Sequence, residues 1–203
     1  MTYALGSTST SLWYFSRATG TVSLALFSLS MALGVLVRGA RPLVTIPRFA
    51  IGAIHRNVAL LAILFLALHV VTAVIDPFVT IGWLATVIPG ASPYKSLSIG
   101  LGAVALDLAI AVVVTSLLRE RIGRRTWRAV HWLSYACWPV AVGHTLLLGP
   151  DATTGTVRWF TYGSILVVAA ACAWRLLAIA PHGAFVARRR AKRRQLRTIR
   201  GIG

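Results

Sequence analysis

Acidic residues are almost missing from this chain. Four Asp and Glu stand against 21 Lys and Arg in 203 residues, a formal net charge of +17 at pH 7. Charge of either sign is also scarce. Asp, Glu, Lys and Arg together make up 12%, about half the ~25% of an average soluble domain. Hydrophobic residues reach 57% and the mean hydropathy is +0.76. A soluble domain of this length cannot hide so much apolar surface from water, so that class is excluded. Cysteine is scarce too. Cys137 and Cys172 fall at different depths, which argues against a disulfide and leaves buried packing as their role. There is no repeat of solenoid period and no long low-complexity linker.

What the chain does have is long apolar runs. A transmembrane helix needs about 20 mostly apolar residues. Five stretches qualify: Thr19–Val37, Ile51–Ile75, Leu97–Leu118, Trp127–Leu148 and Val157–Leu177. The expected fold is an all-α integral membrane protein, a bundle of five transmembrane helices. Residues 1–18 form an N-terminal segment, 19–178 the membrane domain and 179–203 a basic tail. The first span has no basic leader and is long for a signal-peptide core, so it reads as a retained helix. Asp76-Pro77 should end the second span, since proline cannot continue the hydrogen-bond ladder. Ile81–Ile88 is too short to cross and reads as an interfacial or re-entrant helix over one end of the bundle.

In a soluble protein this excess of positive charge would suggest nucleic acid. Its placement points to a lipid bilayer and to no nucleic acid. Arg38, Arg41 and Arg48 follow span one. Arg119, Arg121, Arg124, Arg125 and Arg128 follow span three, and the tail carries Arg188 to Arg190, Lys192 to Arg194, Arg197 and Arg200. The link after span two holds only Lys95, and the link after span four holds no basic residue before Arg158. By the positive-inside rule the basic links and the tail are cytoplasmic, so five spans put the N-terminus outside. The expected location is the plasma membrane. The tail reads as a topology signal attracted to anionic lipid, or as a docking surface for an acidic partner. Trp13, Trp83, Trp127, Trp132, Trp159 and Tyr162 cluster near span ends as an aromatic belt, and Arg175 should snorkel to the inner surface.

Four histidines lie inside the expected spans. Ionisable groups there are costly and tend to face the bundle interior. His55 and His69 are 14 residues apart, so they share a helix face and sit about 21 Å apart along the axis. His131 and His144 are 13 apart, or about 20 Å. Spans two and four run in the same direction, so the histidines form two layers. His55 and His131 lie toward the cytoplasm, His69 and His144 toward the outside. Haem iron accepts two axial imidazoles, and such six-coordinate iron suits electron transfer. Two haems between the second and fourth helices would form a wire through a hydrocarbon core about 30 Å thick. A 13-residue step turns His144 about 140° away from His131 in a straight helix. Pro139 between them can kink the helix and correct this. Gly52 and Gly143 beside the histidines either admit a flat macrocycle or let helices pack closely. Arg56 beside His55 and Arg17 at the outer end of span one are either partners for haem propionates or interfacial anchors. Asp107, mid-span in the third helix, either takes up protons or tunes a histidine, or is bonded to a neighbouring helix. No Cys-x-x-Cys-His is present, so covalent c-type haem is not expected.

These residues resemble the ferric reductase-like transmembrane family. The resemblance rests on His-x13-His on one helix, here His55-Arg-Asn to Leu68-His69. It rests also on His-x12-His two helices later, here His131-Trp to Gly143-His144. Trp13-Tyr-Phe-Ser-Arg-Ala-Thr-Gly20 and Ala129-Val-His-Trp-Leu-Ser-Tyr135 look like bacterial, actinobacterial members. The resemblance covers about residues 12 to 178. It implies two b haems, His55 paired with His131 and His69 with His144, and electron flow from the cytoplasmic side outward. Many members have six spans, against five here. Oxidase members carry a flavin and nicotinamide domain, and this chain has no Gly-rich dinucleotide motif, so no flavin or nicotinamide site is expected. The donor would be a quinol or a separate flavoprotein, and the acceptor would lie outside. The expectation is the membrane subunit of an oxidoreductase. The competing expectation is a haem-free proton channel or transporter using the histidines and Asp107. A relay wants polar groups a few ångströms apart, whereas these lie about 20 Å apart along each helix.

Overall fold

The computed structural model describes residues 2–37, 47–77, 79, 81–148 and 155–200, and its regular structure is helical. Arg38 and Arg41 of the first basic link, residues 201–203 and the side chains of the tail from Ala178, His182 included, lie outside what is described. The helices are α1 (Thr2–Val37), α2 (Arg48–Ile75), α3 (Ser96–Leu117), α4 (Arg119–His131), α5 (Ser134–Leu147) and α6 (Gly155–Arg200). Among the described residues between α2 and α3 lies a 3₁₀ turn, Leu84–Thr86.

Among the described residues, four stretches are long and apolar enough to cross a membrane: Ser11–Leu36, Phe49–Ile75, Ser96–Leu117 and Gly155–Leu177. Leu60, Leu64, Val71 and Ile75 on α2, and Leu166 and Leu176 on α6, are exposed. Lipid would cover such residues. Asp76 ends α2 as expected, its N–H bonding the Thr72 carbonyl at 3.1 Å. The segment expected as an interfacial helix at Ile81–Ile88 is only the 3₁₀ turn. Its Ala85 is buried while Trp83 and Leu84 stay exposed.

The fourth expected span, Trp127–Leu148, is not one helix. It is divided by a turn at Trp132 and Leu133. Here N–H groups bond three residues back instead of four: Leu133 to Val130, Tyr135 to Trp132 and Ala136 to Leu133. Each such step winds about 20° more than an α-helical one. Three of them remove about 60° of the ~140° phase error between His131 and His144. The correction expected from a Pro139 kink with helix tilt thus comes in part from this turn. Proline lies within α5, but a tightened turn precedes it.

Two antiparallel pairs, α1 with α2 and α3 with α5, form the body, and α6 packs against α1. Their registers are set by small polar ties. Ser23 Oγ donates to the Ala62 carbonyl at 3.0 Å, and Cys137 Sγ to the Ala105 carbonyl at 3.2 Å. The two pairs meet through α1 and α5, where Trp138 Nε1 donates to Ser28 Oγ at 2.8 Å. Arg175 Nη1 reaches the Val35 carbonyl at 3.3 Å, beside the small core of Ala32, Val35 and Ala171. Small residues at these contacts let the backbones approach, as membrane bundles require. Cys137 and Cys172 are free thiols, as expected.

Candidate functional site

The four membrane histidines face one another in pairs. His55 and His131 have ring centroids 6.4 Å apart with planes at 73°. His69 and His144 are 6.3 Å apart at 70°. The histidines of each pair come from α2 on one side and from the α4–α5 segment on the other. Groups of three or more His, Cys, Asp or Glu are absent among the described residues. A bare zinc-type ion wants four protein ligands, so two facing nitrogens suit an ion whose other ligands come from elsewhere. Two imidazoles on opposite sides of one metal, each bonded at about 2 Å, would hold ring centroids roughly 6 Å apart.

The seats of these rings were not foreseen. His69 Nδ1 donates to the Ser16 carbonyl at 2.8 Å, with Ser16 Oγ 3.3 Å away. His55 Nδ1 donates to the Ser30 carbonyl at 2.8 Å, with Ser30 Oγ at 3.2 Å. His144 Nδ1 donates to the Ser98 carbonyl at 2.7 Å. A carbonyl can only accept, so Nδ1 carries the proton in all three, and in the neutral ring Nε2 keeps a bare lone pair. A metal-ligating histidine is usually held this way by its second nitrogen.

Each seat is a serine followed four residues later by glycine: Ser16 and Gly20, Ser30 and Gly34, Ser98 and Gly102. Helical side chains lean toward the N-terminus and cover the preceding turn. A side chain at the glycine position would therefore shield the serine carbonyl. A Cβ on Gly20 would lie 2.8 Å from the His69 ring, and one on Gly102 2.7 Å from His144. At Gly34 the approach to His55 is looser, 3.4 Å. Ser16 and Ser30 stand 14 residues apart on α1, matching the 14-residue step of His69 and His55 on antiparallel α2. That recurrence is the signal in the sequence that could have found them.

A cavity of about 440 Å³ opens around the His69/His144 layer. Gly20, Gly102, Cys137, Leu24 and Leu66 line its body. Arg17, Trp13, Asp76, Tyr94 and Lys95 line it as well. Arg17 lines this cavity, with its guanidinium 4.4 Å over the Trp13 ring. Lys95, read in the sequence only as a topology charge, stands in the same cavity, and its ammonium contacts the Leu148 carbonyl. Arg56 is exposed and follows His55 directly. Asp107 is half-buried and is absent from the cavity lining. The Nδ1 partners found for His55, His69 and His144 are serine groups, not Asp107. Gly52 has open space where a Cβ would stand, and Gly143 only an ordinary contact with Leu101.

The family described as ferric reductase like transmembrane component matches residues 19–142, more than half of the chain. The chain belongs to the ferric reductase-like transmembrane family. The matched region carries His55, His69 and His131, and His144 lies two residues beyond its end. No curated protein and no solved structure gives a significant match. A ferric reductase-like domain points to transmembrane electron transfer within an oxidoreductase, and its apolar helices require a bilayer.

Proposed function

We propose that the chain conducts electrons across the plasma membrane through two bis-histidine b haems, as the membrane subunit of an oxidoreductase. His55 and His131 would be the axial ligands of the inner haem, His69 and His144 those of the outer one. The observation that carries this reading is the paired imidazoles 6.3 and 6.4 Å apart, with Nδ1 of three held on carbonyls. Haem iron with two axial imidazoles exchanges single electrons without opening a coordination site. The protein's own part is to fix the imidazoles. Backbone carbonyls hold the tautomer and ring orientation, and such outer partners raise ligand basicity. Arg17 and Lys95 place positive charge in the cavity of the outer layer, suited to the carboxylates of the macrocycle. Arg56 would serve the inner one. Leu24, Phe27, Leu66 and Ala109 add apolar lining to the cavity of the outer layer.

The charge pattern supports an external N-terminus and a cytoplasmic tail. The donor would then be a quinol or a flavoprotein on the cytoplasmic side, and the acceptor an external molecule. Asp107 remains a candidate for proton uptake beside the electron path.

The test is an optical spectrum of the detergent-purified protein before and after dithionite, with pyridine haemochrome quantification. About two b haems per chain are expected, falling to about one in His69→Ala, by loss of an axial ligand. A haem-free spectrum after expression with ample haem supply would overturn the proposal. Retention of both haems in His69→Ala would overturn the ligand assignment.

A further inference from the structure

The fourth histidine is seated differently from the other three. On α3 the first seat is Ser98 and Gly102. Fourteen residues later, at the level of the other layer, stand Val112 and Ser116. Glycine is replaced by serine, and the opening is closed. Ser116 Oγ donates to the Val112 carbonyl at 2.6 Å, the carbonyl equivalent to that of Ser98. Ser116 Oγ in turn accepts from Trp127 Nε1 at 3.3 Å. The Trp127 ring stacks on His131, with centroids 5.1 Å apart and planes at 29°. Trp127 and His131 are four residues apart on α4, the spacing at which side chains on one helix face meet.

We propose that Trp127, anchored by Ser116, is the positioning residue of His131 and makes the inner haem electronically distinct from the outer one. This rests on the bis-histidine reading above. In the outer layer both imidazoles donate Nδ1 to carbonyls. In the inner layer one does so and the other lies against an indole face. An outer partner tunes a ligand's basicity and, through it, the metal. Two layers with different partners therefore differ in reduction potential. The indole also fixes the plane of the His131 ring. The sequence alone places Trp127 in the aromatic belt. The stack and the Ser116 bond give it a second role. Its helix carries the exposed Arg124, Arg125 and Arg128, so the cytoplasmic surface is linked to the inner ligand through one side chain.

The experiment is a potentiometric titration of the purified holoprotein, followed optically and by low-temperature EPR. Wild type is compared with Trp127→Leu, Trp127→Phe and Ser116→Ala. His69→Ala, which keeps only the inner transition, assigns the two waves. In Trp127→Leu the inner potential and its EPR signal should move, or the inner haem should be lost, while the outer transition keeps its wild-type values. Trp127→Phe, which retains an aromatic face, should restore most of the wild-type inner signal. Ser116→Ala should move it in the same sense as Trp127→Leu and by less. Unchanged inner potential and EPR signal in Trp127→Leu, or equal shifts of both transitions, would overturn the proposal. If Trp127→Leu does not accumulate, an unshifted Ser116→Ala does the same. A wild-type protein without haem overturns the underlying reading itself, and that result is in hand before any variant is made.

Discussion

A glycine opposite each of three histidines carries a graded set of expectations. The Cβ of Gly102→Ala or Gly20→Ala would lie 2.7 or 2.8 Å from an imidazole atom. One helix or one ring must then move, and overpacking of this kind costs about 1–3 kcal/mol. Both variants are expected to lose most of the outer haem, read as a fall from about two haems to about one. Gly34→Ala, with 3.4 Å of room, should keep both haems, and so should Gly52→Ala. Haem stoichiometry across the four separates the seats from ordinary helix packing. At this scale the four histidines were legible, because an ionisable residue in an apolar run stands out. Ser16, Ser30 and Ser98 were not, since they act through backbone carbonyls. A carbonyl has no letter in the sequence. Only the glycine that uncovers it does.

Helices were legible from their apolar runs, and their ends less so. The fourth span read as continuous because Trp127 to Leu148 is apolar enough throughout. The turn at Trp132 and Leu133 appears only as a change of hydrogen-bond step. That turn contributes about 60° to the phase of His144, which yields a prediction. One alanine inserted between Trp132 and Leu133 would rotate α5 by about 100° relative to α4. His144 would leave His69 while His131 stays beside Trp127. Spectra should then show the inner haem retained and the outer one lost. An insertion after Leu148, beyond α5, should leave both in place.

For the whole molecule, the order of α1 with α2 and α3 with α5 was not readable from the sequence, although the parallel course of α2 and α5 was. Helix pairing depends on which faces carry small residues and polar ties such as Ser23 to Ala62. The two pairs touch through α1 and α5, while the paired imidazoles span the gap between α2 and the α4–α5 segment. A ligand that bridges such a gap stabilises the native state by binding it alone. Protein expressed under haem limitation should therefore melt at least about 5 °C below the holoprotein. Equal melting temperatures would mean that the pairs hold together unaided. Orientation is checked separately. A reporter that folds only in the cytoplasm should be active when fused after Gly203 and silent when fused before Met1.

The 14-residue step of Ser16 and Ser30 against His69 and His55 ties two helices to one period. An antiparallel neighbour can repeat its partner's spacing only if neither helix gains or loses a residue between the layers. The stretch from Ser16 to Gly34 is thus a ruler as well as a membrane anchor. Between the seats the constraint falls on length. Distant kin with unrecognisable side chains would still be expected to keep the count.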